Sequence, residues 1–192
     1  MKKILVIGAT GQIGSALMTK LRKEYGNDNV VAGYIEGVPL SDELKNGGPL
    51  EIADVTNAQQ IAAIIDKYKI DSIYNLAAIL SAQAEKRPLL AWNIQIGGVL
   101  NLLEISREKG CSLFTPIGAF GDSSPKMKTP QETIQRPRTI YGVSKVSCEL
   151  LSDYYFYRYG VDTRSVRFPG LISYETLPGG GTTDYAVEIY YA

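Results

Sequence analysis

Ile4-Leu5-Val6-Ile7-Gly8-Ala9-Thr10-Gly11-Gln12-Ile13-Gly14, near the start of the chain, carries the pattern of a strand, a glycine turn and the start of a helix. Four apolar residues ending at a glycine read as a buried strand. The periodicity from Gln12 to about Tyr25 reads as a helix, so glycines 8, 11 and 14 form a G-x-x-G-x-x-G turn between the two. That order leaves free backbone N–H groups and the positive end of a helix dipole facing one place, which suits phosphate. The glycines then serve a tight turn, close backbone approach to a pyrophosphate, and close packing of helix on strand. Glycines also make ordinary turns; the setting between strand and helix favours a dinucleotide site built on Gly8, Gly11, Gln12, Ile13 and Gly14.

Beyond this stretch, apolar runs and helical patterns alternate. Asn29 to Tyr34 reads as a strand, and Glu36 to Leu50, rich in Gly, Pro and Ser, as a surface loop. A third short strand precedes Asp54, and Thr56 or Asn57 caps a helix to about Tyr68. Further strands are expected at Ile73–Leu76, Cys111–Ile117 and Val161–Phe168. Pro88 opens a long helix to about Lys109, closed by Gly110, and Tyr141 to Tyr159 is a second long helix. The order predicts an α/β, doubly wound parallel sheet (Rossmann), with ligands outside the carboxyl ends of the strands, near Asn75, Ile117 and Phe168.

Of 192 residues, 20 are Lys or Arg and 20 are Asp or Glu. Zero net charge removes the basic field that holds nucleic acid, so a small-molecule site is the expectation. Histidine is absent, which excludes Ser-His-Asp chemistry and every His-containing metal site, and no metal is expected. Cys111 and Cys148 match no Cys-x-x-Cys pattern; two buried, reduced thiols in a cytoplasmic protein are the expectation, with a disulfide between them the open alternative. Met1-Lys2-Lys3 before an apolar run mimics a signal peptide, but the run ends at Gly8, and a first buried strand is the better reading. No apolar stretch reads as long enough to span a bilayer, so no membrane partner is expected.

Tyr141-Gly142-Val143-Ser144-Lys145 places a phenol and an ammonium four residues apart, on one face of a helix. A free tyrosine titrates near 10, too high for a base at neutral pH, and a neighbouring ammonium favours the phenolate. The pair suits proton abstraction from a hydroxyl while hydride leaves for a nicotinamide. With 13 tyrosines in the chain the spacing is cheap; its weight comes from the glycine turn upstream.

These motifs resemble the extended short-chain dehydrogenases, a superfamily that includes nucleotide-sugar epimerases and dehydratases such as UDP-galactose 4-epimerase, and the resemblance covers the entire chain. Asn75-Leu76-Ala77-Ala78 is similar to the family's motif beside the cofactor, and Arg167-Phe168-Pro169-Gly170 to its motif near the nicotinamide. Leu76 to Ala82, Ala91-Trp92-Asn93, Pro169 to Ser173 and Pro178 to Ala186 resemble the L-threonine 3-dehydrogenase branch in particular. The resemblance implies NAD-dependent oxidation of L-threonine to 2-amino-3-oxobutyrate, with Tyr141 as base and Lys145 as its partner. It implies cofactor contacts from Leu76, Ala77, Ala78, Tyr141 and Lys145, and substrate contacts from Ser81, Tyr141, Gly181, Thr182 and Thr183. Ser81 could equally end a strand loop, and Thr182 or Thr183 could cap the last helix. Asp54, with Val55, could accept from the adenine amino group or simply turn the chain toward the next helix. A homodimer through the two long helices is implied as well.

The chain departs from the family pattern in three places. Tyr34 stands where an acid usually binds the adenosine ribose, with Glu36 close by; no Arg is near to greet a 2′-phosphate, which favours NAD over NADP mildly. Phe114-Thr115-Pro116-Ile117-Gly118 lacks the two hydroxyl residues the family carries after this proline, one of which polarises the substrate oxygen. Relatives also continue past the last helix, so 1–192 is expected to be the NAD-binding domain, with 169–192 leading toward a substrate lobe. Two alternatives stay open: a nucleotide-sugar epimerase or dehydratase, and a non-catalytic NAD-binding protein.

Overall fold

The computed structural model describes residues 2–118, 124–168, 170–171 and 185–189. Its strands are β1 (Ile4–Ile7), β2 (Val30–Tyr34), β3 (Leu50–Ile52), β4 (Ser72–Asn75), β5 (Ser112–Pro116) and β6 (Thr163–Val166). They form one six-stranded sheet in the order β3-β2-β1-β4-β5-β6, with all five pairings parallel. The chain order reverses direction between β1 and β4, and the crevice there is where doubly wound sheets take ligands.

Parallel strands need crossovers, and helices on both faces supply them. Alternate residues of β1 face opposite ways. Ile4 and Val6, with Val30 and Ala32, pack under Met18 and Leu21 of α1 (Gln12–Tyr25). Leu5 and Ile7, with Ile73 and Leu113, pack under Ile61, Ile64 and Ile65 of α3 (Ala58–Tyr68) and Leu102 and Leu103 of α6 (Gly98–Lys109). Burying each such side chain contributes about 1.5–3 kcal/mol, which makes the sheet a rigid base for its loops.

The stretch Glu36–Leu50, expected as a loop, holds a short helix α2 (Asp42–Asn46) and the first residue of β3. Ser41 caps α2 by accepting from the Leu44 N–H at 3.2 Å, and Leu44 is buried. The Gly-Pro-Ser composition concealed both because α2 is under two turns long. A helix α4 (Ser81–Lys86) follows β4, where none was expected. Asn29 lies in a 3₁₀ turn rather than in β2. Asn57, not Thr56, caps α3.

Pro88 to Lys109 is helical throughout: α5 (Pro88–Trp92), a π-helical turn over Asn93–Gly97, then α6. Contrary to the sequence expectation, it is long and apolar enough to cross a membrane by length and composition. Asn93, Gln95 and Asn101 break the run in the sequence and hid this. Half of its most apolar stretch is buried against the rest of the chain. Gly110 closes it with φ +73°, the left-handed conformation that favours glycine. α7 (Ile140–Tyr159) and a short α8 (Tyr185–Glu188) complete the described elements. Cys111 and Cys148 are both free and buried.

Candidate active site

Gly8 has φ +81°, and a Cβ there would lie 3.0 Å from the Leu76 carbonyl carbon and 3.1 Å from the Ala77 nitrogen. The glycine turn therefore packs directly on the loop after β4, bringing Leu76 and Ala77 beside it, with Ala78 next in the chain. Gly8 and Ala9 both donate their N–H to the Gly33 carbonyl at the end of β2. Gly14 lies against Gly8–Ala9, where a Cβ would meet the Ala9 Cα at 2.9 Å. At Gly11 the nearest protein atom to such a Cβ is the Gly8 oxygen at 3.5 Å, an ordinary contact. Gly11 is the N-cap of α1, without a side-chain cap, and the first helical turn carries no acidic residue. The N–H groups of Gln12, Ile13 and Gly14 have no acceptor inside the helix, since a first turn has none. An anion fits this end of α1 by charge and by geometry.

Asp54 and Val55 follow β3 on the same edge of the sheet. Asp54 Oδ1 accepts from Thr56 N–H at 2.9 Å and from Thr56 Oγ1 at 2.8 Å, an Asx turn leading into α3. Val55 is buried with its side chain against Gly98, and its carbonyl accepts from Asn101 Nδ2 at 2.9 Å. Tyr34 ends β2 half-buried, and Glu36 is exposed beyond it. From β3 to β5 is four strand spacings, about 19 Å. The edge suits an elongated ligand lying across β2, β1 and β4.

Tyr141 and Lys145 meet this edge at the end of β5. Thr139 caps α7, accepting from Gly142 N–H at 3.1 Å. A Cβ on Gly142 would lie 2.5 Å from Pro137 Cβ, so the approach loop folds tightly over the residue after the tyrosine. Lys145 Nζ donates to the Pro116 carbonyl at 3.1 Å and sits 5.5 Å from the centroid of the Tyr141 ring. Its own carbonyl accepts from Gly118 N–H at 2.9 Å, which ties α7 to the end of β5. Burial pushes the Tyr141 phenol above its ordinary value of 10.0 and pulls the Lys145 ammonium below 10.5. The expectation of a phenol lowered by the ammonium is not met in this state: desolvation is the cause that acts on Tyr141, and it acts upward.

Thr115 is buried and donates its hydroxyl to the Asn75 carbonyl at 3.3 Å, within the sheet. Ile117, also buried, continues the pairing through its N–H to the Val166 carbonyl at 3.2 Å. Ser81 is the first residue of α4 and half-buried. Gly181, Thr182 and Thr183 lie outside the described residues.

Sequence reasoning missed three supports of the pair. Gln95 Nε2 donates to Ser144 Oγ at 2.7 Å, and Ser144 Oγ donates to the Tyr141 carbonyl at 2.8 Å, a buried chain from the π turn to the tyrosine backbone. A lone glutamine between Ile94 and Ile96 was the only signal for it. Arg167 pairs with Glu149 and donates to the Gln131 carbonyl, joining the end of β6 to α7 and its approach loop. Glu85 of α4 accepts from the Ile140 N–H at 2.7 Å. These are contacts between elements distant in the chain, so no local pattern announces them. Among the described residues no group of three His, Cys, Asp or Glu side chains could hold a metal ion.

A glycine turn at the switch point of a 3-2-1-4-5-6 parallel sheet, with a Tyr-x-x-x-Lys helix over the neighbouring strand end, defines a dinucleotide-binding oxidoreductase-type domain. The chain belongs to the NAD dependent epimerase/dehydratase family, whose model matches residues 4–186. It is 57% identical over 193 aligned positions to an uncharacterized epimerase/dehydratase of Staphylococcus haemolyticus, covering all of this chain and 60% of that protein. The X-ray structure of L-threonine dehydrogenase from Clostridium difficile superposes with a TM-score of 0.91 at 57% identity, over 100% of this chain and 60% of that one. The GalE-like L-threonine dehydrogenase of Cupriavidus necator, in its holo form, gives a TM-score of 0.93 at 44% identity, over 99% and 61%. The chain thus spans about 60% of the length of these relatives.

Proposed function

We propose that the protein takes part in NAD-dependent oxidation of L-threonine to 2-amino-3-oxobutyrate. The observation that carries this reading is the Tyr141–Lys145 pair at the end of β5, level with the glycine turn, in a chain 57% identical to a threonine dehydrogenase. When bound, NAD supplies the hydride acceptor. The chain's own residues do the rest. The N–H groups of Gln12, Ile13 and Gly14 hold the pyrophosphate, and the close loop Leu76–Ala78 walls the nucleotide. The Asp54 carboxylate serves the adenine end. Lys145 holds the nicotinamide ribose and supplies the positive charge that a buried phenol needs to ionise. Tyr141 takes the proton from the substrate hydroxyl as hydride leaves the same carbon. Ser81, with Gly181, Thr182 and Thr183, meets the amino acid. Exposed Leu150, Tyr154 and Tyr157 on α7 fit a homodimer through the long helices.

One observation favours a second reading, NAD binding without turnover. No hydroxyl side chain of β5 stands beside Tyr141: Thr115 is tied to Asn75, and Pro116 and Ile117 carry none.

The test is NADH absorbance when the purified protein meets NAD and L-threonine, with Tyr141→Phe as control. Turnover that the Phe variant loses by roughly 10²–10⁴-fold supports the proposal. Turnover of a UDP-sugar in place of threonine makes the protein an epimerase or dehydratase. NAD binding without turnover of either selects the second reading.

A further inference from the structure

α4 and α7 meet beside the candidate site, and a side chain of α4 reaches the backbone of α7. Glu85 Oε1 accepts the N–H of Ile140, the first residue of α7, at 2.7 Å across 55 positions of sequence. Tyr141 is the next residue. The local cap from Thr139 Oγ1 to Gly142 N–H closes the same turn from the other side. The tyrosine therefore stands between two side-chain caps, one from its own approach loop and one from another helix. Thr139 already satisfies the usual requirement for a helix start. Glu85 adds a connection between helices.

Ser81 precedes Glu85 by four positions, so the two share one face of α4. Between them Ala84 is completely buried, which fixes the rotation of this short helix. α4 thus carries a proposed substrate contact at its first residue and a grip on the catalytic helix one turn later.

We infer that Glu85 is a positioning residue for Tyr141: its carboxylate sets the first turn of α7 against α4 and so fixes the phenol relative to Ser81. The inference rests on the dehydrogenase reading and adds to it the element that joins the amino-acid contact to the base. A reacting pair loses much of its rate when misplaced by an ångström, so the grip matters to kcat more than to cofactor affinity.

The test compares Glu85→Gln, which keeps a carbonyl acceptor at the same reach, with Glu85→Ala, which has none. Expected for the Ala variant is a fall in kcat of about tenfold or more, with NADH affinity unchanged within about twofold. The Gln variant is expected to regain kcat to within about threefold of the parent. Wild-type kcat in Glu85→Ala would overturn the inference, as would equal loss in both variants. A cap of purely structural value would lower the melting temperature without moving kcat where the protein is folded. If Glu85→Ala does not fold, Glu85→Asp, shorter by one methylene, is expected to show the kcat loss, and wild-type kcat there would be equally contrary. Should the parent not oxidise threonine, the dehydrogenase reading fails by itself, and hydrogen exchange decides Glu85 alone. Faster amide exchange at residues 140–142 in Glu85→Ala, and not in Glu85→Gln, supports the grip, while unchanged exchange refutes it.

Discussion

Gly11 and Gly14 belong to one motif but are glycine for different reasons. A Cβ at position 14 would press on the Ala9 Cα at 2.9 Å, whereas at position 11 the protein leaves room. Gly14→Ala is expected to destabilise the fold by about 1–3 kcal/mol in urea unfolding. Gly11→Ala should leave stability within about 1 kcal/mol yet weaken NAD binding in calorimetry, because the missing atoms there make room for ligand. Equal effects at the two positions would show that the turn is only structural. The phenol gives a second test at this scale. Burial holds Tyr141 above 10.0, and a base must be ionised, so kcat/KM should rise with pH as the phenol loses its proton. Lys145→Met removes the charge that favours phenolate, so the midpoint of that rise should move to higher pH. A midpoint that stays put would take Lys145 out of the proton-transfer pair.

Among the elements, those with a full period of apolar residues were legible in the sequence. β1 and α1 fall on Ile4–Ile7 and Gln12–Tyr25 as read, and Gly110 ends α6 in the left-handed conformation. Short elements were not legible. α2 and α4 hold five and six residues, too few for a periodic stripe, and are fixed by what covers Leu44 and Ala84. The π turn at Asn93–Gly97 was hidden for another reason: one extra residue in a turn leaves the composition of a helix unchanged. It brings Gln95 into a buried chain with Ser144, which is fully enclosed. Ser144→Ala should cost about 1–3 kcal/mol, since it strands the Gln95 amide without its acceptor. Adding Gln95→Leu should then cost less than the sum of the two single changes in a double-mutant cycle. Additive costs would mean that the chain carries no coupling.

Over the whole molecule, the doubly wound parallel sheet, with its strand ends on one side, followed from alternation and glycine spacing, whereas the strand order β3-β2-β1-β4-β5-β6 was not read from the sequence. What did not follow was how residues at that edge are held by distant elements: Lys145 bonded to Pro116 and Glu85 reaching α7 are products of packing, while the turn at Asp54 is one of the two readings its sequence offered. The two thiols give a global test. Burial pushes both Cys111 and Cys148 from 9.0 up to about 11. Between those values the unfolded chain releases protons that the folded one keeps, so stability should fall as pH rises from 9.0 toward 11. The loss is up to about 2–3 kcal/mol per thiol at the upper end. A Cys111→Ala/Cys148→Ala variant, unfolded in urea across that range, should show a shallower slope, the remainder coming from raised phenols such as Tyr155, pushed from 10.0 up to about 12, and an unchanged slope would assign it wholly to other groups.

On the proposed reading a dinucleotide lies across this edge with its pyrophosphate on α1 and its far end at Tyr141 and Lys145. A crystal structure of the protein soaked with oxidised NAD tests it most directly. The pyrophosphate oxygens are expected within hydrogen-bonding reach of the Gln12 and Ile13 amides, and the nicotinamide ribose against Lys145. Density for the coenzyme elsewhere, or a nicotinamide remote from the Tyr141 phenol, would contradict the account.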